Sequence, residues 1–98
     1  MSYTIRVELH DANWQQYVDM AQDLATKGIT DVIVADNGTS YKLPPAEYNY
    51  VGNESADAVL EAAKASAAKT GRRYAIFVTE ATRRTWIGLE VLQARRSA

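Results

Sequence analysis

Within the first 28 residues the spacing of apolar side chains changes from two to three or four. From Tyr3 to His10 the chain alternates, with Tyr3, Ile5, Val7 and Leu9 on one side and Thr4, Arg6, Glu8 and His10 on the other. Successive strand residues point to opposite faces, so this stretch predicts a half-buried strand. Trp14, Tyr17, Val18, Ala21, Leu24, Ala25 and Gly28 then follow at helical spacing, the stripe of an amphipathic helix. Asp11 or Asn13 can cap its start. Lys27-Gly28 suits its end, a cation at the negative pole followed by a residue that tolerates the left-handed conformation.

The same alternation of element types continues downstream. Thr30 to Ala35 (TDVIVA) is rich in β-branched residues and predicts a second strand, ended by Asp36-Asn37-Gly38, where Asn-Gly favours a hairpin turn. Pro44-Pro45 cannot donate to a sheet ladder, so the returning strand is expected at about Glu47 to Val51, with Tyr41 to Pro45 as a wide or bulged approach. Asn53 or Ser55 can cap a second helix running to Thr70, with Asp57 in its first turn, Gly71 at its end and a small buried stripe of Ala56, Val59, Leu60, Ala63 and Ala67. Tyr74 to Thr79 (YAIFVT) reads as another strand. Thr85 to Leu92 reads as a last one, pairing back through a turn at Arg83-Arg84, with a frayed C-terminal helix as the alternative that Gly88 weakens.

The order β-α-β-β-α-β plus a C-terminal strand predicts a single ferredoxin-like domain over residues 1–98. This is an α+β two-layer sandwich with a mainly antiparallel sheet and two helices on one face. Its first and third strands would lie at the sheet centre, flanked by the second and fourth, leaving one sheet face without helices.

Composition narrows the chemistry. With 47% apolar and 23% charged residues the chain has the make-up of an ordinary globular protein. The absence of cysteine removes disulfides, thiolate nucleophiles and cysteine metal sites, and makes a cytoplasmic setting the plainer expectation. No long apolar run suggests a leader or a membrane span, so no membrane partner is expected. Net charge is −1 but uneven. Residues 1–71 carry ten acids and five bases, whereas residues 72–98 carry six arginines against Glu80 and Glu90. Arginine's planar fork pairs with phosphates and stacks on flat rings, which suits that end to a polyanion or an acidic partner.

Three groups of residues can carry function. Tyr48 and Tyr50, two apart, share one side of their strand; on the open sheet face they would join Arg6, Glu8 and His10, where rings stack on bases and arginine holds phosphate. Facing the helices they would instead fill the core. AEYNYVG does not match the third-strand signature of RNA-recognition modules. His10-Asp11, with Asp36 ending the second strand, offers a proton carrier and carboxylates, against which stands Asp11's plain use as a cap. The arginine pairs Arg72-Arg73, Arg83-Arg84 and Arg95-Arg96, the first followed by Tyr74, could grip a phosphate backbone, with Arg95-Arg96 returning near Arg72-Arg73 if the last two strands form a hairpin. Hydrolase and nucleotide-enzyme signatures such as HExxH, a phosphate-cradling glycine loop and GxSxG are missing, and neither a metal site nor a cofactor is expected.

The element order, together with Ile33-Val34-Ala35-Asp36 followed by Gly38, a loop and a returning strand, resembles the small endoribonuclease antitoxins of type V toxin-antitoxin systems, the GhoS-like family. The likeness covers roughly Tyr3 to Glu80. It implies a ferredoxin-like fold, similar to that of small CRISPR-associated nucleases, and cleavage of single-stranded RNA. In that setting Arg6 is the candidate for phosphate contact, His10 for proton transfer and Asp11 for the carboxylate beside it. Tyr48, Tyr50, Arg72, Arg73, Tyr74, Arg83 and Arg84 are the candidates for RNA binding. The alternative is a non-catalytic interaction module that forms a homodimer through an exposed strand or sheet face and binds a protein or RNA partner.

Overall fold

A computed structural model of the protein describes residues 1–94. Along it run β1 (Ser2–Leu9), α1 (Trp14–Ala25), β2 (Val32–Val34), β3 (Ser40–Lys42), β4 (Glu47–Val51), α2 (Ala56–Ala68), β5 (Tyr74–Ala81) and β6 (Val91–Gln93). The architecture is α+β, with two helices and two antiparallel three-stranded sheets, ordered β4-β1-β5 and β2-β3-β6. No helix among the described residues is long and apolar enough to cross a membrane.

The alternation in β1 sets the core. Tyr3, Ile5, Val7 and Leu9 are all buried, packed with Met20 and Leu24 of α1 and with Val59, Ala63 and Ala67 of α2. Alanines on α2 let its backbone lie close to the sheet, where a larger stripe would hold it off. Residues opposite one another in an antiparallel ladder share a face, and Tyr48 and Tyr50 pair with Ile5 and Tyr3. Both tyrosines therefore face the helices. Tyr48 is buried, and the Tyr50 ring lies 6.0 Å from that of Tyr3.

Local chemistry fixes the helix ends. Asn13, not Asp11, caps α1: its Oδ1 accepts from the Gln16 N–H at 2.9 Å while Gln16 Oε1 accepts from the Asn13 N–H at 3.0 Å. Only Asn13 stands three residues before a glutamine, the spacing a reciprocal capping box needs. Asp11 sits instead in the turn before the helix, with φ +56°. At the other end Gly28 has φ +77°, its N–H donates to the Ala25 carbonyl at 3.1 Å, and the Ile29 N–H reaches the Leu24 carbonyl at 3.1 Å. This is a Schellman closure, with buried Ile29 following the left-handed residue. Gly28→Val should lower stability by about 1–2 kcal/mol, read as a lower thermal midpoint, and Gly28→Asn should lose less. In α2, Ser55 Oγ accepts from the Ala58 N–H, and Asp57 occupies the first turn.

The buried face of α2 differs from the one its alanines suggested. Ala56 is exposed, Leu60 is half-buried, and Ser66 is buried between the helices. Its Oγ donates to Asp23 Oδ2 at 2.6 Å and accepts from Lys27 Nζ at 2.7 Å. Lys27 Nζ also reaches the Ala62 carbonyl, and Lys69 Nζ pairs with Asp23 Oδ1 at 2.9 Å. The Ser66 hydroxyl, with Lys69 and Lys27, holds the Asp23 carboxyl down at about 2. These contacts clamp the C-terminal half of α1 to α2.

Two sequence expectations are corrected here. The second strand does not flank β4 as a full partner. Asp36-Asn37-Gly38 turns the chain at once, with the Ala35 N–H on the Thr39 carbonyl at 2.8 Å, so β2 spends its ladder on β3 ahead of the prolines. Toward β4 there is one backbone bridge, Thr30 to Asn49, just ahead of β2, and the Asn49 Nδ2 bond to the Val32 carbonyl. The expected C-terminal hairpin at Arg83-Arg84 is also absent. Residues 82–90 form no strand, Gly88 turns them with φ +79°, and β6 pairs with β3 rather than β5. Arg84 and Trp86 direct this crossing, the first by bonding β1 and the second by its edge-on contact with Tyr41, ring centroids 5.5 Å apart. Arg95 and Arg96 lie outside the described residues, so their return toward Arg72-Arg73 falls there too.

Candidate nucleic-acid interface

The face of the larger sheet turned from the helices carries Thr4, Arg6 and Glu8 with their ladder partners Asn49, Glu47, Thr79, Phe77 and Ala75. The crossing segment covers only one end of it. There a cleft of about 440 Å³ opens between Ser2, Asn49, Val51 and Ala81 of the larger sheet and Ile33 to Asp36 of the smaller one, closed by Arg83, Arg84 and Trp86.

Arg84 is the structural centre of this cleft. Its Nη1 donates to the Tyr3 carbonyl and to Thr4 Oγ1, both at 3.3 Å, which holds the guanidinium against the sheet. Among the described residues it makes no ion pair. Burial pulls its pKa below the ordinary arginine value, though the group stays charged near neutrality. A half-buried cation without an acid beside it is an incomplete arrangement that an anion would complete.

Asn49 supplies a second incomplete group. Its backbone exchanges bonds with Thr30 at 2.6 and 2.9 Å, and its Nδ2 donates to the Val32 carbonyl at 3.1 Å. That carbonyl fixes which side-chain atom is the amide nitrogen. The remaining Oδ1 is buried with no hydrogen-bond partner, a state that costs about 1–3 kcal/mol. Trp86 adds a half-exposed flat ring steadied by Tyr41. The cleft thus combines two arginines and a flat ring with the Asp36 side chain at its edge.

The structure divides the residues singled out from the sequence. Arg83 and Arg84 line the cleft. Tyr48 and Tyr50 belong to the core face and leave the open surface; burial pushes the Tyr48 hydroxyl up to about 12. His10, Asp11, Arg72, Arg73 and Tyr74 gather at the opposite sheet end, where the Arg73 carbonyl accepts the His10 N–H at 2.9 Å and Arg72 Nε donates to Gln16 Oε1 at 3.3 Å. At strand rise His10 stands roughly 20 Å from Thr4. Asp36 lines the cleft and so lies far from His10-Asp11, contrary to the grouping the sequence suggested. Arg6 sits between the ends, held by Glu47 at 3.5 Å and Glu8 at 3.9 Å. Arg6, His10 and Asp11 are therefore not drawn into one compact constellation with the cleft arginines. Among the described residues no cluster of three or more histidine and carboxylate side chains could hold a metal ion.

Asn49 and Trp86 escaped the sequence reading. Asn49 carries no signal, since its unmet oxygen arises only from the bridge to Thr30. Trp86 had one, an aromatic ring two residues beyond an arginine pair.

A larger groove of about 720 Å³ runs between α1 and the Pro44-Pro45 loop, lined by Trp14, Tyr17, Val18 and Tyr48 among others. Its charged rim is already paired, Asp31 with Lys42 and Arg6 with Glu47. It holds no unpaired guanidinium like that of Arg84 in the smaller cleft. Compared with known proteins, the chain matches no family model, no curated protein and no solved structure.

Proposed function

We propose that the protein binds single-stranded RNA, with the cleft between its two sheets seating a base and its phosphate. The observation that carries this reading is Arg84, a half-buried guanidinium without an acid partner, in the same cleft as the Trp86 ring. Arg84, helped by Arg83, takes the phosphate, and Trp86 stacks on the base. Single strands suit such a site because only unpaired bases expose both faces and edges.

The GhoS-like resemblance extends the proposal to RNA cleavage on a ferredoxin-like framework whose second strand has been drawn into a small sheet of its own. An RNA strand leaving the cleft along the open face passes Arg6 and reaches His10 and Asp11, which supply proton transfer and a carboxylate. Arg6 is engaged by Glu8 and Glu47, so binding has the stronger support and cleavage rests on the resemblance.

Fluorescence anisotropy with a labelled single-stranded RNA at low and moderate salt tests the binding. Arg83→Ala, an exposed change that leaves the fold alone, should weaken binding severalfold and flatten its salt dependence. Trp86→Ala should weaken it about fivefold to a hundredfold, the range of one lost base stack. Binding indifferent to both changes, or absent at low salt, would overturn the reading. The same RNA on a denaturing gel reports cleavage; His10→Ala should abolish cutting while leaving affinity unchanged.

A further inference from the structure

The larger sheet ends in a strand that nothing described pairs with. β5 runs for 8 residues, from Tyr74 to Ala81, and pairs with β1 without interruption along one side only. The bonding directions follow from the ladder. Asn49 bonds Thr30, away from β1, so its partner Thr4 turns its own groups the other way, toward Thr79. Phe77 and Ala75 bond β1 in the same phase. Tyr74, Ile76, Val78 and Glu80 therefore aim their backbone N–H and C=O out of the sheet.

Edges of this length are ordinarily blunted by lysine, proline, a bulge or a covering element. β5 contains no lysine and no proline, pairs with β1 in one unbroken register, and holds one charged residue, Glu80. Phe77 stands at its middle on the open face with 70% of its surface exposed.

We infer that β5 is a self-association edge, pairing antiparallel with β5 of a second copy of this chain about a twofold axis at Phe77. Antiparallel self-pairing suits this strand because Glu80 near its close is opposite in sign to Arg72 and Arg73 before it, while of the two arginines that follow, Arg84 is turned back onto β1. In the register centred on Phe77, Ile76 bonds Val78 of the partner subunit and Tyr74 bonds Glu80 of the partner subunit. The two Phe77 rings then meet at a non-hydrogen-bonded position, where side chains approach most closely. Arg72 becomes the diagonal neighbour of Glu80 of the partner subunit on the helix side, within reach of its long side chain. The two larger sheets become one continuous layer with both open faces on the same side. This inference does not depend on what the cleft binds.

The test is molar mass by light scattering and sedimentation over a concentration series up to about 100 μM, where micromolar interfaces are populated. Wild type should be dimeric. Phe77→Lys, which sets two like charges face to face at an exposed position, should weaken dimerisation at least a hundredfold with an unchanged circular dichroism spectrum. Arg72→Glu and Glu80→Arg should each weaken it about tenfold, and the double exchange should restore it. A monomeric wild type, a dimer indifferent to Phe77→Lys, or a double exchange no better than the single changes would overturn the inference.

Discussion

Replacing Leu24 with alanine should remove about 2–5 kcal/mol of folding stability, measured as a fall in the denaturant midpoint with an unchanged slope. Leu24 has 0% exposure and lies in the cluster where α1 meets β1 and α2. Its removal subtracts the transfer free energy of the lost carbons and leaves a void that close-packed neighbours fill only in part. The surroundings are poorly placed to relax. The Leu24 carbonyl is held by Ile29 in the helix closure, and the clamp at Asp23 fixes the preceding residue. Since native domains are stable by only about 5–15 kcal/mol, this one change should consume a large share of the total. The surface change Gln15→Ala, made as a control on the same helix, should cost little.

Ser66→Ala should cost about 1–3 kcal/mol at neutral pH and should also change how the protein responds to acid. The hydroxyl bridges Asp23 and Lys27 within a buried interhelical contact, so its loss leaves both charges with fewer partners. Asp23 is held near 2 against an ordinary value of 3.8, with the Ser66 hydroxyl as the largest cause and Lys69 the next. A carboxyl whose folded pKa is depressed contributes stability that is complete above its unfolded value and lost as pH falls toward the folded one. Denaturant midpoints for wild type should therefore drop between about pH 4 and pH 2 by an increment that Asp23→Asn lacks. Ser66→Ala should show a shallower drop over the same window. Equal acid profiles in all three proteins would remove the clamp from the account of stability.

Leu24 belongs to the part of the chain that local pattern specifies well. The alternation in β1, the existence of α1 and α2 and the residues that could cap them were legible because each depends on neighbours a few residues away, Asn13 on Gln16, Gly28 on Ala25, Ser55 on Ala58. The buried face of α1 was not, since Trp14 and Ala25 of the expected stripe are exposed and Met20 outside it is buried. Register was not legible. Whether Tyr48 and Tyr50 face the helices depends on Tyr48 standing opposite Ile5, some forty residues distant, and a slip of one position would send both rings to the other face. Ser66 was invisible for a related reason, since a lone serine among alanines reads as a neutral helix residue until Asp23 and Lys27 are brought across from α1.

The smaller sheet was misread for the opposite cause, a local signal that outcompeted a distant one. Asn37-Gly38 makes β3 available to β2 within a few residues, while β4 must wait for the chain to pass two prolines. Three-residue strands such as Ser40–Lys42 and Val91–Gln93 are too short for periodicity to register. The cleft inherits that illegibility. Arg83 and Arg84 stood out in the sequence as a basic pair, but the company of Asn49 follows from long-range pairing alone.

The lone bridge between Thr30 and Asn49 makes the two halves of the molecule mechanically unequal. Three-residue strands joined to the larger sheet mainly through Asn49 have little cooperative resistance, whereas β1 is paired with β5 along its whole length and with β4 from Ser2 to Arg6. Amide hydrogen exchange should accordingly run faster in β2, β3 and β6 than in β1.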